Sequence, residues 1–206
     1  MKRIALLGGA FNPITKGHLE IAQLVKDRLG CEVWIMPAYS HTYNKKMVSP
    51  EHRIKMCKLA APSFKIFDYE IKNKIKGGTL SLYNILKEDK EYKDYDFSWI
   101  IGMDNANTIE NWVNAEELLD KVKFIVIPRP GVKEDPTKTW YKQSPHIFIE
   151  SYLKDYVFEI SSTKVRTLLT EYYKKRNFYT LQDLEHYIET NLLYYIIINK
   201  LYEKIY

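Results

Sequence analysis

The segment from Gly8 to His18, GGAFNPITKGH, has the residue types of an anion-binding turn. Gly8 and Gly9 follow the apolar run RIALL and have no side chains, so backbone N–H groups can approach an oxyanion closely. A helix that begins near Gly17 would add unpaired N–H donors and the positive end of its dipole. His18, in the first turn of that helix, could direct its imidazole at the same anion. The spacing therefore favours a phosphate site, with an ordinary turn that binds no ligand as the alternative.

The glycine pattern of this segment separates it from two widespread nucleotide-binding classes. It matches neither G-x-G-x-x-G nor G-x-x-x-x-G-K-[ST]. Dehydrogenases of the dinucleotide-binding type and P-loop enzymes are therefore disfavoured.

A second helix start with anion-binding residues is predicted near the other end of the chain. The run EISSTKVR puts Ser161, Ser162 and Thr163 at the beginning of a helix. Hydroxyl and N–H groups there can hold phosphate oxygens, and Arg166 follows one turn later with a forked donor. In a purely structural interpretation, Ser162 is an N-cap and Arg166 a solvated helix residue. Together the two helix starts could bind both ends of a triphosphate.

The order of elements along the chain predicts a fold that can bring these helix starts together. Short apolar runs alternate with helical patterns, which is typical of an α/β fold with a doubly wound parallel sheet and helices on both faces. In such sheets ligands bind beyond the carboxyl ends of the strands, where the strand order reverses. We expect one domain over residues 1–206 with a helical C-terminal part from about 162 to 206. Helices are expected over 18–29, 50–60 and 79–87, with a further helical stretch that reaches Val122 and a loop over 133–144.

Composition narrows the function classes. The 206 residues, of which 46% are hydrophobic and 28% charged, suit an ordinary globular protein. The net charge of +5 suits anionic ligands, but the basic residues form no block or stripe, which argues against nucleic acid as a partner. Cys31 and Cys57 are expected to be free thiols. The longest apolar run is too short to cross a bilayer, so we expect no membrane partner and an intracellular location.

Several further segments, in the same order, resemble a known enzyme superfamily. They are SPEHRIKM, GGTLSLYNIL, WIIGMDNANTIENW, FIVIPRPG and LEHYIETNLLY, in addition to the two motifs above. The chain resembles nucleotidyltransferases with a (T/H)xGH turn and a late ISSTxxR helix. It is most similar to the nicotinate and nicotinamide mononucleotide adenylyltransferases. It departs from the usual bacterial pattern at Thr15, where those members carry histidine, and FNPIT is similar to the eukaryotic form.

This resemblance implies a Rossmann-like fold and direct adenylyl transfer. The 5′-phosphate of the mononucleotide would attack the α-phosphorus of ATP and release pyrophosphate, with no covalent enzyme intermediate. The enzyme would supply positioning and charge stabilisation. Mg²⁺ is the implied cofactor, held mainly by phosphate oxygens and water, so no metal-ligating residues are assigned. A homodimer and a cytoplasmic location are implied by analogy, with a nuclear location left open.

The resemblance also implies roles for individual residues. His18 and Arg166 would be catalytic. Residues matching the ATP and phosphate site are Gly8, Gly9, Ala10, Phe11, Thr15, Gly17, Gly102, Asp104, Ser161, Ser162 and Thr163. Residues matching the mononucleotide site are Lys46, Gly78, Thr79, Trp112 and Arg129. Structural alternatives are a helix N-cap for Asp104, a surface loop for Lys46 and a core position for Trp112. Arg53 matches the arginine of SPEHRIKM more loosely.

The acceptor is expected to be a pyridine mononucleotide. Trp112, Gly78 with Thr79, and FIVIPRPG favour this branch over relatives that act on phosphopantetheine, FMN or choline phosphate. Backbone N–H groups at the helix start near Gly78 would favour the carboxylate of nicotinate by charge-assisted bonding. We therefore expect nicotinate mononucleotide, with nicotinamide mononucleotide as a second substrate left open. A nucleic-acid-binding module is the non-enzymatic alternative.

Overall fold

A parallel sheet forms the centre of the computed structural model, which describes residues 1–40, 46–129, 131–150 and 160–203. Within these ranges the sheet has six strands in the order 3-2-1-4-5-6, and each strand runs parallel to its neighbours. The strands are β1 (Arg3–Gly9), β2 (Glu32–Pro37), β3 (Lys65–Ile66), β4 (Asp96–Gly102), β5 (Lys123–Ile127) and β6 (Ile147–Phe148). The predicted doubly wound, Rossmann-like α/β fold is confirmed.

Helices cover both faces of this sheet. They are α1 (Lys16–Leu29), α2 (Pro50–Ala60), α3 (Tyr69–Lys72), α4 (Gly78–Glu88), α5 (Met103–Ala106), α6 (Ala115–Lys121), α7 (Ser162–Lys175), α8 (Phe178–Tyr187) and α9 (Thr190–Ile198). The three helices expected over 18–29, 50–60 and 79–87 are confirmed to within two residues. Among the described residues, no helix is long and apolar enough to cross a membrane.

One local expectation was wrong, and a second, the loop over 133–144, is confirmed with one addition. The helical stretch expected to reach Val122 is divided into α5, a 3₁₀ turn over Ile109–Asn111, and α6. Asn114 adopts the left-handed conformation, with φ of 55°, immediately before α6, and asparagine tolerates that conformation better than most residues. The expected loop over 133–144 contains a short 3₁₀ turn, Trp140–Lys142, that buries Tyr141.

The two faces of the sheet carry separate hydrophobic layers, because successive side chains on a strand point to opposite faces. On β1, Ala5 and Leu7 belong to the layer that contains residues of α1, α2 and α7 to α9. Ile4 and Leu6 belong to the layer that contains residues of α4 and α6. Burial on both faces explains why β1, β2 and β5 are nearly continuous apolar runs without alternation.

The strand order reverses between β1 and β4. The chain passes from β1 to β2 on one side, and β4 later pairs with the opposite edge of β1. The carboxyl ends of the two strands, at Gly9 and Gly102, therefore border the crevice where ligands bind in such sheets.

Candidate active site

A cleft of about 1510 Å³ lies at the carboxyl ends of the strands. This volume exceeds the roughly 300–1,000 Å³ of a typical single-ligand pocket. Fourteen of the predicted site residues line it: Gly8, Gly9, Thr15, Gly17, His18, Gly78, Thr79, Gly102, Asp104, Trp112, Arg129, Ser161, Ser162 and Thr163. Ala10, Phe11, Lys46 and Arg166 lie outside the lining set. The structure thus brings both motifs to one cleft, although their sequence positions are far apart.

Phe11 supports the turn from the protein interior. Its side chain is buried, its backbone has a positive φ of 45°, and its ring packs beneath Gly9. A Cβ atom on Gly9 would lie 3.1 Å from the Phe11 Cζ atom, which is tighter than most contacts of a Cβ atom. A side chain at position 9 would therefore require the Phe11 ring to shift by a few tenths of an ångström.

Arg53 connects the turn to the loop after β2. It is fully buried, and its guanidinium donates to the carbonyl oxygens of Ala10 at 2.9 Å, Tyr39 at 3.3 Å and Val48 at 3.3 Å. Burial lowers the pKa of this guanidinium from its ordinary value. Arg53, which the sequence matched only loosely, thus holds the backbone of the turn and does not line the cleft.

The hydroxyls at the start of α7 are engaged in structural hydrogen bonds. Ser161 is the N-cap, and its Oγ accepts from the backbone N–H of Lys164 at 3.2 Å. Ser162 Oγ donates to the carbonyl oxygen of Pro13 at 2.7 Å. The purely structural interpretation had assigned the N-cap to Ser162, which was wrong by one residue. The start of α7 is therefore hydrogen-bonded directly to the turn between β1 and α1.

Arg166 reinforces this connection from the next turn of α7. Its Nη1 donates to the carbonyl oxygen of Asn12 at 3.0 Å, and its Nη2 donates to Thr163 Oγ1 at 3.0 Å. The forked guanidinium thus joins the two predicted anion-binding segments through their protein atoms. Its position is only partly exposed, so the description of Arg166 as a solvated helix residue does not fit.

Thr15 fixes the ring of His18. Thr15 caps α1, its backbone N–H donates to His18 Nδ1 at 3.1 Å, and its Oγ1 lies 2.7 Å from the same nitrogen. A backbone N–H can only donate, so Nδ1 accepts and the proton of the neutral ring is assigned to Nε2. Desolvation, followed by the positive charge of Arg129, lowers the pKa of His18 to about 4. Near neutral pH the imidazole is therefore an uncharged N–H donor.

Asp104 and Arg129 form an ion pair on the β4 and β5 side of the cleft. Arg129 Nη1 donates to Asp104 Oδ2 at 3.1 Å, and the side chains are 47% and 41% exposed. A pair this exposed contributes at most about 1 kcal/mol, so a charged ligand can separate it at low cost. Gly102, the residue before α5, is the N-cap, which rules out that role for Asp104. A Cβ atom on Gly102 would lie 2.5 Å from Asp104 Oδ1, so the carboxylate folds back over the glycine.

The start of α4 and the ring of Trp112 form the remaining part of the cleft. Gly78 begins α4 with a φ of 71°, a conformation that favours glycine, and Thr79 follows it. Trp112 follows the 3₁₀ turn in extended backbone, and it packs on the hydrophobic layer while also lining the cleft. Trp112 therefore lies outside the helices, in the region where a continuous helical stretch was expected. Its ring contacts both the core and the cleft, so the core alternative accounts for only some of its contacts.

Lys76 lines the cleft but was not among the predicted site residues. Lys76 is exposed and directly precedes the glycine pair at the start of α4. A basic residue at a helix start beside glycines was the signal that could have identified it.

The predicted site residue Lys46 is exposed and does not line the cleft, and its carbonyl oxygen accepts from Asn12 Nδ2 at 3.5 Å.

Comparisons with known proteins agree with this geometry. A family model described as Cytidylyltransferase-like matches residues 6–168. A Streptococcus pneumoniae protein named "Probable nicotinate-nucleotide adenylyltransferase" is 35% identical over 199 residues, which cover 94% of this chain and 89% of that protein. The nicotinate-nucleotide adenylyltransferase of Bacillus subtilis is 31% identical, with 94% and 99% covered. The structure of Plasmodium falciparum nicotinic acid mononucleotide adenylyltransferase complexed with NaAD superposes with a TM-score of 0.82, at 25% identity and 98% coverage of both chains. With this fold, this cleft and relatives of this similarity, the chain belongs to the nicotinate-nucleotide adenylyltransferase family.

Proposed function

We propose that this enzyme transfers the adenylyl group of ATP to nicotinate mononucleotide, which releases pyrophosphate and forms deamido-NAD. The observation that carries the proposal is the convergence of two helix starts, α1 and α7, on the cleft that also contains Trp112 and the start of α4. The first pair suits a triphosphate, and the second suits a pyridine ring with an anionic substituent. The names of the relatives and the NaAD complex of the Plasmodium enzyme support the same reaction.

The reaction needs no nucleophile from the protein, because the phosphate of the mononucleotide attacks the α-phosphorus of ATP. The enzyme would therefore act by alignment and by stabilising the charge that develops on phosphate oxygens. His18, neutral and with Nδ1 occupied by Thr15, would donate its Nε2 proton in a hydrogen bond to a phosphate oxygen. The positive charge near that oxygen would come from Arg129 and from the dipole of α1. Arg166 would hold the phosphate turn and the α7 start in register.

The remaining ATP contacts would follow from the lining of the cleft. Gly8, Gly9 and Gly17 would bring backbone close to the phosphates, and Asp104 would accept from ribose hydroxyls beside Gly102. Ala10 and Phe11 would contribute through the conformation of the turn, since their side chains lie outside the lining.

The acceptor site would lie between Trp112 and the start of α4. Trp112 would stack on the pyridine ring, and backbone N–H groups near Gly78 and Thr79 would bind the nicotinate carboxylate. Lys76 adds a positive charge at the same place, which favours the acid over the uncharged amide. Nicotinamide mononucleotide would be a slower substrate for the same reason.

Mg²⁺ is the cofactor that the donor atoms of the site would suit. Magnesium prefers hard oxygen ligands and keeps several waters, so phosphate oxygens of ATP and water would provide most of its ligands. Within the described ranges, no group of three or more His, Cys, Asp or Glu residues could hold a metal ion. Asp104 lines the cleft, as do Glu70, Glu88 and Glu117. When bound, the cation would neutralise phosphate charge during transfer.

The proposal is tested with a panel of acceptors. The protein is incubated with ATP, Mg²⁺ and one acceptor: nicotinate mononucleotide, nicotinamide mononucleotide, FMN or phosphopantetheine. Pyrophosphate release and the dinucleotide product are measured by chromatography. We expect deamido-NAD to form fastest; product from phosphopantetheine with none from either pyridine mononucleotide would contradict the proposal. Light scattering of the same preparation tests the proposed homodimer.

A further inference from the structure

Tyr202, close to the carboxyl end of the described chain, contacts Asn12 in the phosphate turn, the segment between β1 and α1. Its side chain is only 1% exposed, and its hydroxyl donates to Asn12 Oδ1 at 3.1 Å. Met56 Sδ lies 3.8 Å from the same hydroxyl. The segment that follows α9 thus carries a residue that contacts the turn from 190 positions away in the sequence.

Asn12 is the point where the turn meets the scaffold. Its side chain is buried, and its Oδ1 also accepts from the backbone N–H of Val48 at 3.2 Å. Its carbonyl oxygen accepts from Arg166 at 3.0 Å. Asn12 therefore links the loop after β2, the start of α7 and the segment that follows α9. Two donors, the hydroxyl of Tyr202 and the Val48 N–H, thus identify Oδ1 as the acceptor end of the amide, while Nδ2 donates to the carbonyl oxygen of Lys46 at 3.5 Å.

We propose that Tyr202 is a positioning residue for the phosphate turn. Its hydroxyl orients the buried amide of Asn12, and Asn12 in turn fixes the backbone between Gly9 and Thr15 on which the ATP phosphates would rest. This inference rests on the proposed function for its catalytic consequence. Displacements well below 1 Å in such a turn reduce the efficiency of a reaction that depends on alignment.

The test replaces one hydroxyl while keeping the ring. Tyr202→Phe removes the bond to Asn12 and leaves the buried volume filled. Tyr173→Phe is the matched control, because the Tyr173 hydroxyl donates at 3.2 Å to the carbonyl oxygen of Ile196, which lies in α9 and outside the turn. For both variants and the wild type, kcat and KM are measured for ATP and for nicotinate mononucleotide. Amide hydrogen exchange of the peptide over residues 8–15 is measured without substrates.

In Tyr202→Phe we expect kcat/KM for ATP to fall about fivefold, the effect of one neutral hydrogen bond. Exchange over residues 8–15 should be faster, and KM for the mononucleotide should stay unchanged. Tyr173→Phe should show neither change. Equal kinetics and equal exchange in the two variants would overturn the inference. If the wild type makes no dinucleotide, the proposed function fails, whereas the exchange comparison still decides the role of Tyr202.

Discussion

The low pKa of His18 can be tested through the pH dependence of stability. The folded chain holds this imidazole with a pKa of about 4, against 6.5 for the ordinary side chain, because the ring is desolvated and lies near Arg129. As the pH falls through 6.5, the unfolded chain binds a proton that the folded chain does not bind. Stability is therefore lost on acidification and is fully present above that value.

The size of the effect follows from the two pKa values. Between about pH 7.5 and about pH 5, the proton bound only by the unfolded state lowers the free energy of unfolding by about 2 kcal/mol. His18→Gln removes the titrating group while keeping an amide donor in the same position. The wild type should therefore lose about 2 kcal/mol more than His18→Gln over this range, since the other titrating groups contribute equally to both proteins.

The assay is urea denaturation of both proteins at the two pH values, with fluorescence or circular dichroism as the probe. Chemical shifts of the His18 ring proton, followed over the same range, give the pKa of the folded chain directly. Equal losses of stability in the two proteins, together with a ring that titrates near its ordinary value, would refute the assignment of His18 as a neutral donor.

Four further outcomes are expected. Arg166→Lys keeps the charge but loses the fork that joins Asn12 to Thr163, so KM for ATP should rise roughly tenfold; steady-state kinetics equal to those of the wild type would exclude this role. Gly102→Ala puts a Cβ atom 2.5 Å from Asp104 Oδ1, so the carboxylate must move and kcat/KM for ATP should fall on the order of tenfold, while thermal unfolding reports any wider damage. Chelation of Mg²⁺ should abolish turnover, and full activity in excess chelator is the contrary result. Nicotinate mononucleotide should exceed nicotinamide mononucleotide in kcat/KM by roughly tenfold or more, and the reverse preference would contradict the proposed binding of the carboxylate. An unchanged KM for the mononucleotide in Trp112→Ala would show that the Trp112 ring has only a structural role.

Short sequence patterns predicted the strands, helices and helix starts, because these depend mainly on residues that are close in the sequence. The apolar runs of β1, β2 and β5 and the helical patterns between them are set by neighbouring residues, so the sheet and three helices could be predicted from them. The glycines before α1 and the serines before α7 likewise identified two helix starts. Their convergence on one cleft followed from the rule that ligands bind where the strand order reverses.

The contacts that hold the site could not be predicted in the same way. Arg53 bonds to Ala10 across 43 positions, and no local pattern distinguishes a buried arginine that holds backbone carbonyls from one that binds a ligand. The roles of Phe11 and Tyr202 depend equally on tertiary packing. The interrupted helix before Val122 is a different case, because the sequence itself contains residues that favour turns there: Asn107, Asn111 and Asn114. The expectation of a helix gave more weight to the apolar pattern than to these residues.

The bond between Tyr202 and Asn12 also bears on the order in which the enzyme matures during synthesis. Pairing between β1 and β2 brings together residues about 28 positions apart, as in Ile4 and Glu32, and can form early. The Asn12 amide receives its tyrosine partner only after 190 further residues have left the ribosome. Contacts of such large sequence separation are slow to form, because the loop that they close is entropically costly. A nascent chain can thus acquire its sheet well before its phosphate turn is held in final form, so catalytic competence would be among the last properties gained.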